Sequence, residues 1–355
     1  MFLAINEILH SKLRYALVVG VMFLIAYLVF FLTGLAYGLA QDNRTAVDKW
    51  DAEYILLSED ANSNLNMSMI PLSEVDELDQ EQIGVLAQTA GVIAKVGDSD
   101  EKINASFFGI DAEQFLAPNL IEGEMFANDQ EAVADSSLKE QYGIQLGDEI
   151  QLAGNDQQFK IVGFTDNAKF NVAPVLYTTI GAYQAIRFEQ QGTEGQSRIN
   201  GIVLKDDLTD VPEGLEKIAI KDFINDLPGY SAQVLTFGFM IGFLIVIAAI
   251  VIGIFIYVLT MQKITIFGVM KAQGISGRYI ANSVVAQTFL LAVIGVVLGL
   301  LGTVATALVL PEAVPFESNW LFFGVISLLM IVIAVLGAFF SVRTIVKIDP
   351  LRAIG

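Results

Sequence analysis

Four long runs without a charged residue dominate this sequence: Tyr15–Ala40, Thr236–Leu259, Ile280–Leu310 and Trp320–Phe340. Each can cross ~30 Å of hydrocarbon as an α-helix, which rises about 1.5 Å per residue. Hydrocarbon offers the backbone no water, so a spanning segment has to satisfy its own N–H and C=O groups, and helix is the economical answer. A content of 54% hydrophobic residues and a mean hydropathy of +0.58 fit the same class. Between the first and second runs lies the one long polar stretch, Gln41–Ala232, with room for one or two compact folds. The fold class is therefore membrane α-helical, with four transmembrane helices and a domain between helices 1 and 2.

Charge orients the chain. Residues 41–230 hold 12 Lys/Arg against 35 Asp/Glu, in a protein of net charge −19. The N-terminal end, the 261–279 loop and the C-terminal tail hold 8 Lys/Arg against 2 Asp/Glu. Basic short segments stay in the cytoplasm, so both termini are expected inside and residues 41–232 outside, in the cell membrane. Such acidity argues against nucleic acid as a partner. The division expected is 1–40 (cytoplasmic helix and first span), 41–232 (extracellular domain) and 233–355 (three-helix bundle with the 261–279 loop and a tail).

In Met1–Arg14, Leu3, Ile5, Ile8, Leu9 and Leu13 recur with helical spacing. The apolar run that follows exceeds the ~7–15 residues of a signal-peptide core, which predicts a retained anchor. Gly34 and Gly38 are spaced for close helix approach, including approach across a dimer. Gly295, Gly299 and Gly302 make a second such face. The outer segment alternates strand-like pieces (Glu53–Ser58, Gly91–Val96, Asn104–Ile110, Val175–Thr179, Asn200–Leu204) with helical ones (Leu72–Thr89, Leu138–Tyr142), an α+β pattern. GIQLGDEIQL (Gly143–Leu152) and QFKIVGFTD (Gln158–Asp166) flank a Gly-Asn turn and predict a hairpin.

The segment Lys263–Arg278, KITIFGVMKAQGISGR, carries three basic residues and no acid between two spans. Its apolar residues predict a short amphipathic helix on the inner membrane face, with Gly274 and Gly277 at its end. No phosphate-binding loop is present, because Gly268 and Gly274 are not followed by Lys-Ser or Lys-Thr. There is no cysteine, and the single histidine is His10. A thiolate nucleophile, a Cys metal site and a Ser/His/Asp site in the outer domain are thereby excluded. The residues offer no credible enzyme site and no cofactor site of the chain's own.

KITIFGVMKAQGISGRYI in the middle, KIDPLRAIG at the end and the outer GIQLGDEIQL…FKIVGF pair resemble the FtsX/MacB-type permeases of ATP-binding-cassette (ABC) transporters. One outer domain followed by three clustered spans is similar to the MacB-like, type VII architecture. Where the family often has an acidic residue then glycine, this chain has Thr265–Gly268. Within the family, MFLAINEILHSKLRYALVVG and FLTGLAYGLAQDN look most like Gram-positive hemin efflux permeases of the Hrt type. The resemblance implies a homodimer driven by two copies of a cytoplasmic ATPase that binds the ATP. It implies an ATPase-coupling segment at Lys263, Phe267, Met270, Lys271 and Gly274. It also implies heme as possible cargo. Without outer His or Cys, heme iron is left with Tyr or Met, here Tyr37, Tyr230 and Met240, with Phe31 and Phe237 around them. These residues read equally as interfacial anchors and lipid contacts. Two other readings are an FtsX-like regulator that activates a cell-wall hydrolase, and a permease that extrudes lipoproteins or peptides.

Overall fold

The computed structural model describes residues 12–78, 83–155, 157–189, 197–311 and 313–346. The expected helix Met1–Arg14, apart from its last residues, and the tail Lys347–Gly355 lie outside the described residues. The chain divides into two units: residues 1–38 with 235–355, and residues 39–234.

The first unit holds the four spans, in helices Lys12–Asp42, Tyr230–Met261, Gly277–Ala307 and Trp320–Val346, and a connecting helix Ile264–Ala272. The third span is the most enclosed and the second the least. Glycine explains the former. A Cβ at Gly295 would press on Met22, and one at Gly299 would lie 2.6 Å from Ala26 Cβ and 2.9 Å from the Tyr27 nitrogen. One at Gly302 would meet the rings of Phe23 and Tyr27. The expected close-packing face of the third span is thus used, and its partner is the first span. Hydroxyls in this apolar setting bond to their own helix: Thr288 to Val284 O, Thr303 to Gly299 O and Thr306 to Gly302 O.

Gly34 and Gly38 have a different fate from a dimer contact. A Cβ on Gly34 would strike the Phe316 ring, and one on Gly38 the Pro315 carbonyl, while the Glu317 N–H donates to Gly34 O at 3.2 Å. The loop joining the last two spans covers the pair, so the close approach is made within one chain.

Among the described residues, the second unit has nine strands of four or more residues: β1 (Tyr54–Ser58), β2 (Ile83–Lys95), β3 (Asp98–Ile110), β4 (Glu131–Asp135), β5 (Glu149–Leu152), β6 (Gln158–Thr165), β7 (Ala173–Thr179), β8 (Gly201–Leu204) and β9 (Leu215–Ala219). Their order is β9-β1-β8-β2-β3-β7-β4-β6, and β5 pairs with both β2 and β6. The path β2-β3-β7-β4-β6-β5 therefore returns to β2, a closed circuit without a free edge. β3/β7 and β4/β6 are parallel; the other neighbours are antiparallel. Strand alternation feeds three cores, one of them around Leu56, Val85 and Ile202. Phe107 joins Ile93, Ile150, Phe159 and Leu176 in a cluster drawn from all six strands of the circuit. Phe108, one residue on, joins Trp50, Val133, Tyr177 and Phe223 in another.

Two expectations are corrected here. Leu72–Thr89 is not a helix: Leu72–Glu77 forms a short 3₁₀ turn and Ile83 starts β2. The first seven residues of β2 are all buried, so the strand lacks the alternation that would have marked it. Gly143–Leu152 is a strand only from Glu149, because Gly143 (φ +66°) ends the Ser137–Tyr142 helix and Gly147 (φ +86°) makes a turn. The hairpin itself is present, with β5 against β6.

The start of this unit is tied to its sheet by polar contacts. The Asn171 and Val172 N–H groups donate to Asn43 O and Asp42 O, and Lys169 pairs with Asp42 at 2.9 Å. Lys49 donates to Thr165 Oγ1 at 2.6 Å and to the Asp166 carbonyl. Burial pushes the Lys49 ammonium down, opposed by Asp166 and Asp135.

Gly299→Ala is expected to cost about 1–3 kcal/mol, because the Ala26 and Tyr27 backbone it meets has no room to yield. Gly324→Ala, which meets nothing within 4 Å, should be neutral or raise stability by up to about 1 kcal/mol. Thermal melts of the two variants in detergent, run beside the parent, check both.

Candidate functional site

The connecting helix is built from a basic, apolar and glycine-punctuated sequence, and each kind of residue has a local job. Gly274 lies in the left-handed region at φ +87°. Its N–H donates to Lys271 O, and the Ile275 N–H donates to Met270 O, both at 3.0 Å. That is the two-bond cap of a helix C-terminus, and Ile275 and Met270 pack on one cluster beneath it, as such caps favour. Ser276 then caps the third span by accepting from the Tyr279 N–H at 3.3 Å. The joint between the two helices is thus only Gln273–Ser276, and both of its ends are hydrogen-bonded.

The faces of this helix differ from the expectation. Phe267 is buried, packed on Ile280 and Val284 of the third span, with Met270 half-buried beside them. Lys263 is buried at the foot of the helix, with its ammonium donating to the Tyr15 hydroxyl. These three were expected to meet an ATPase; in this chain Lys263 and Phe267 are buried and Met270 is half-buried against the bundle. An apolar residue on a short amphipathic helix has two surfaces it can seek, and the third span reaches Phe267 first. Ile266 and Val269 are exposed, 55% and 42%, with Thr265, Ala272, Gln273 and Gly274. Lys271 is half-buried. Sequence reasoning missed Tyr15, Thr260, Gln287 and Thr288, all buried around Lys263. The signal available was Gln287, an amide inside an otherwise apolar run, where a polar group needs a partner.

The cargo candidates fall into two groups. Phe31 stacks between Tyr27 and Phe316, and Tyr37 stands edge-on to Phe322 at 5.7 Å. Phe237 and Met240, on the second span, are half-buried. Tyr230 belongs to the sheet-bearing unit, where it is 9% exposed in the core with Trp50 and Phe223. Arg44 pairs with Asp48 at 2.5 Å, and Asp48, with Tyr230 nearby, holds that guanidinium above its ordinary range. A phenol so placed is a core residue, where it had been one of three candidate iron ligands.

The sequence was compared with known families. A model of the MacB-like periplasmic core domain matches residues 15–218, and a model of the FtsX-like permease C-terminal region matches residues 238–350. The chain belongs to the FtsX/MacB-type permease family. A Staphylococcus epidermidis permease named HrtB, for hemin transport, is 26% identical over all of this chain and 99% of its own length. A Staphylococcus haemolyticus protein of the same name is 24% identical over the same shares. An ABC transporter permease of Mycobacterium tuberculosis is 25% identical, again over 100% and 99%. This FtsX/MacB-type permease is an ABC transporter permease, a multi-pass membrane protein with an extracellular segment.

The capped joint of the permease gives a direct test. Gly274→Val forces a β-branched residue to a positive φ, at a cost of roughly 1–2 kcal/mol, and should loosen the end of the connecting helix. Limited trypsin digestion is expected to cut after Lys271 several-fold faster than in the parent, with cleavage in the sheet-bearing unit unchanged. Equal cleavage after Lys271 would show that the cap does not hold this end.

Proposed function

We propose that this permease is the membrane subunit of an ATP-driven efflux system for hemin. It works as a homodimer with two copies of a cytoplasmic ATPase and has both termini inside. The observation that carries this reading is the connecting helix: an apolar pair, Ile266 and Val269, exposed on a basic segment fixed between two spans. A surface like that suits a partner that pushes on it. The lack of a phosphate loop in the chain leaves ATP to that partner. The relatives named for hemin transport, aligned end to end, support hemin over a lipid or peptide.

The coupling face follows from exposure. Ile266→Asp together with Val269→Asp should leave the melt of the purified permease unchanged, because both positions face outward. It should abolish co-purification of a cytoplasmic ABC ATPase with the tagged permease from its host. Retained co-purification with full ATPase stimulation would remove the connecting helix from the contact. Orientation is checked by single cysteines at Met67 and Gln273, both exposed in a chain that has no cysteine of its own. In intact cells an impermeant thiol reagent should label the first and not the second.

For cargo, Tyr37 and Met240 remain as iron ligands, with Phe31 and Phe237 offering flat apolar contact. Tyr37→Phe with Met240→Leu should weaken hemin binding by roughly tenfold, about 1.4 kcal/mol, in a Soret-band titration. Tyr183→Phe serves as the control: its hydroxyl is buried without a partner, so its loss should be neutral or stabilising. Unchanged hemin affinity in the double variant, with normal growth of a deletion strain on hemin, would favour the reading as a regulator of a cell-wall hydrolase.

A further inference from the structure

Lys263 closes the connection between the second span and the connecting helix, yet its ammonium turns inward and the residue is 7% exposed. It donates to the Tyr15 hydroxyl, lies 5.1 Å from the centre of that ring and is 3.4 Å from Gln287 Oε1. Thr260 and Thr288 stand beside it, 3% and 4% exposed. These side chains line a cavity of about 20 Å³ together with Met22, Val284 and Leu291. The Nε2 atom of Gln287, on a residue 5% exposed, is buried there without a hydrogen-bond partner. A cation and a carboxamide so placed in an apolar bundle are expensive, and ionisable groups at such sites tend to serve function.

The geometry points to a hydrated polar latch. Lys263 pins the foot of the connecting helix to the first span through Tyr15 and to the third through Gln287. The cavity binds one water, which accepts from Gln287 Nε2 and reaches the threonine hydroxyls. A water needs roughly 10–15 Å³ of such space and two to four polar partners, and both are present. Tyr15 of the first span, Lys263 at the foot of the connecting helix and Gln287 of the third span meet at a single point, with Thr260 and Thr288 beside them. A tilt of the connecting helix is therefore delivered to both spans together instead of being lost in a slack joint. Lys263 is a positioning residue inside the bundle and leaves the contact with a partner to Ile266 and Val269. The role of the latch rests on the coupling reading above, but the test of the latch needs no ATPase.

The full chain, carrying Ala272→Cys with a nitroxide and reconstituted in lipid nanodiscs, reports the motion of the connecting helix. The parent should show a slow spectral component. Lys263→Met and Gln287→Leu should each lose it, and the double variant should lose no more than either, the non-additivity of one shared contact. Lys263→Arg, which keeps the cation, should restore most of the slow component. Equal mobility in Lys263→Met, or strictly additive effects, would overturn the latch. Should Lys263→Met fail to fold, Gln287→Leu decides alone, since it removes no charge: loss of the slow component supports the latch and its retention refutes it. Loss of ATPase binding in the Ile266/Val269 variant leaves these spectra untouched, so the two readings fail separately.

Discussion

An apolar helix gains little by leaving lipid for another apolar helix, so close approach has to hold this bundle together. Gly295, Gly299 and Gly302 remove the atoms that would keep the third span from the first, and the backbone of Tyr27 comes within reach of Gly299. Much else in the span-bearing unit follows from that one contact. The third span becomes the enclosed helix and the second the most lipid-facing. Tyr27 comes to bond Thr306 at 3.0 Å, and Tyr15, farther down the first span, comes to face Lys263. Gly337 repeats the device on a smaller scale, with a Cβ position 3.4 Å from Gly253 Cα across the fourth and second spans.

The spans were legible because absence of charge over twenty or more residues has one physical meaning in lipid. The third-span glycine face was legible for the same kind of reason, since its spacing states a geometry. What spacing cannot state is the partner. Gly34 and Gly38 carry the same signal and are filled by Pro315 and Phe316 of the chain's own loop. Phe267 illustrates the limit on a short helix: both faces were apolar enough to bury, and proximity to Ile280 and Val284 decided between them. Tyr230 was placed by its distance from the second span in sequence, whereas its ring is held by Trp50 and Phe223, brought in by the fold of the sheet-bearing unit. β2 was hidden because it is buried along both faces and so loses its period of two.

The sheet-bearing unit answers a different constraint. It carries most of the acid of the protein, and self-repulsion of that size works against a compact state. Three apolar cores, one inside the six-strand circuit, one around Trp50 and one around Leu56 and Tyr183, offset it. Among the described residues the acids lie outside these cores with few exceptions. Asp135 is one, 2% exposed, and its carboxylate accepts from the Ser137 and Ala168 N–H groups at 3.0 and 2.7 Å. Asp166 is held below the usual carboxylate range by Asn119 and Lys49, and it fastens the Lys49 ammonium in turn.

A mechanical reading of the permease needs stiffness where force enters and where it leaves. Where it would enter, the connecting helix is braced on three sides: the Gly274 cap at its end, Phe267 along its length and Lys263 at its foot. Each brace uses a different interaction: a backbone cap, apolar packing and a buried ammonium–hydroxyl bond. Where it would leave, the stretch after the first span is held by backbone bonds from Asn171 and Val172 and by the Lys169–Asp42 and Lys49–Asp166 pairs. Val172 does this at φ +68°, a conformation that a β-branched residue avoids unless its surroundings impose it. Strain is retained at that turn because its amides are bonded to Asp42 and Asn43.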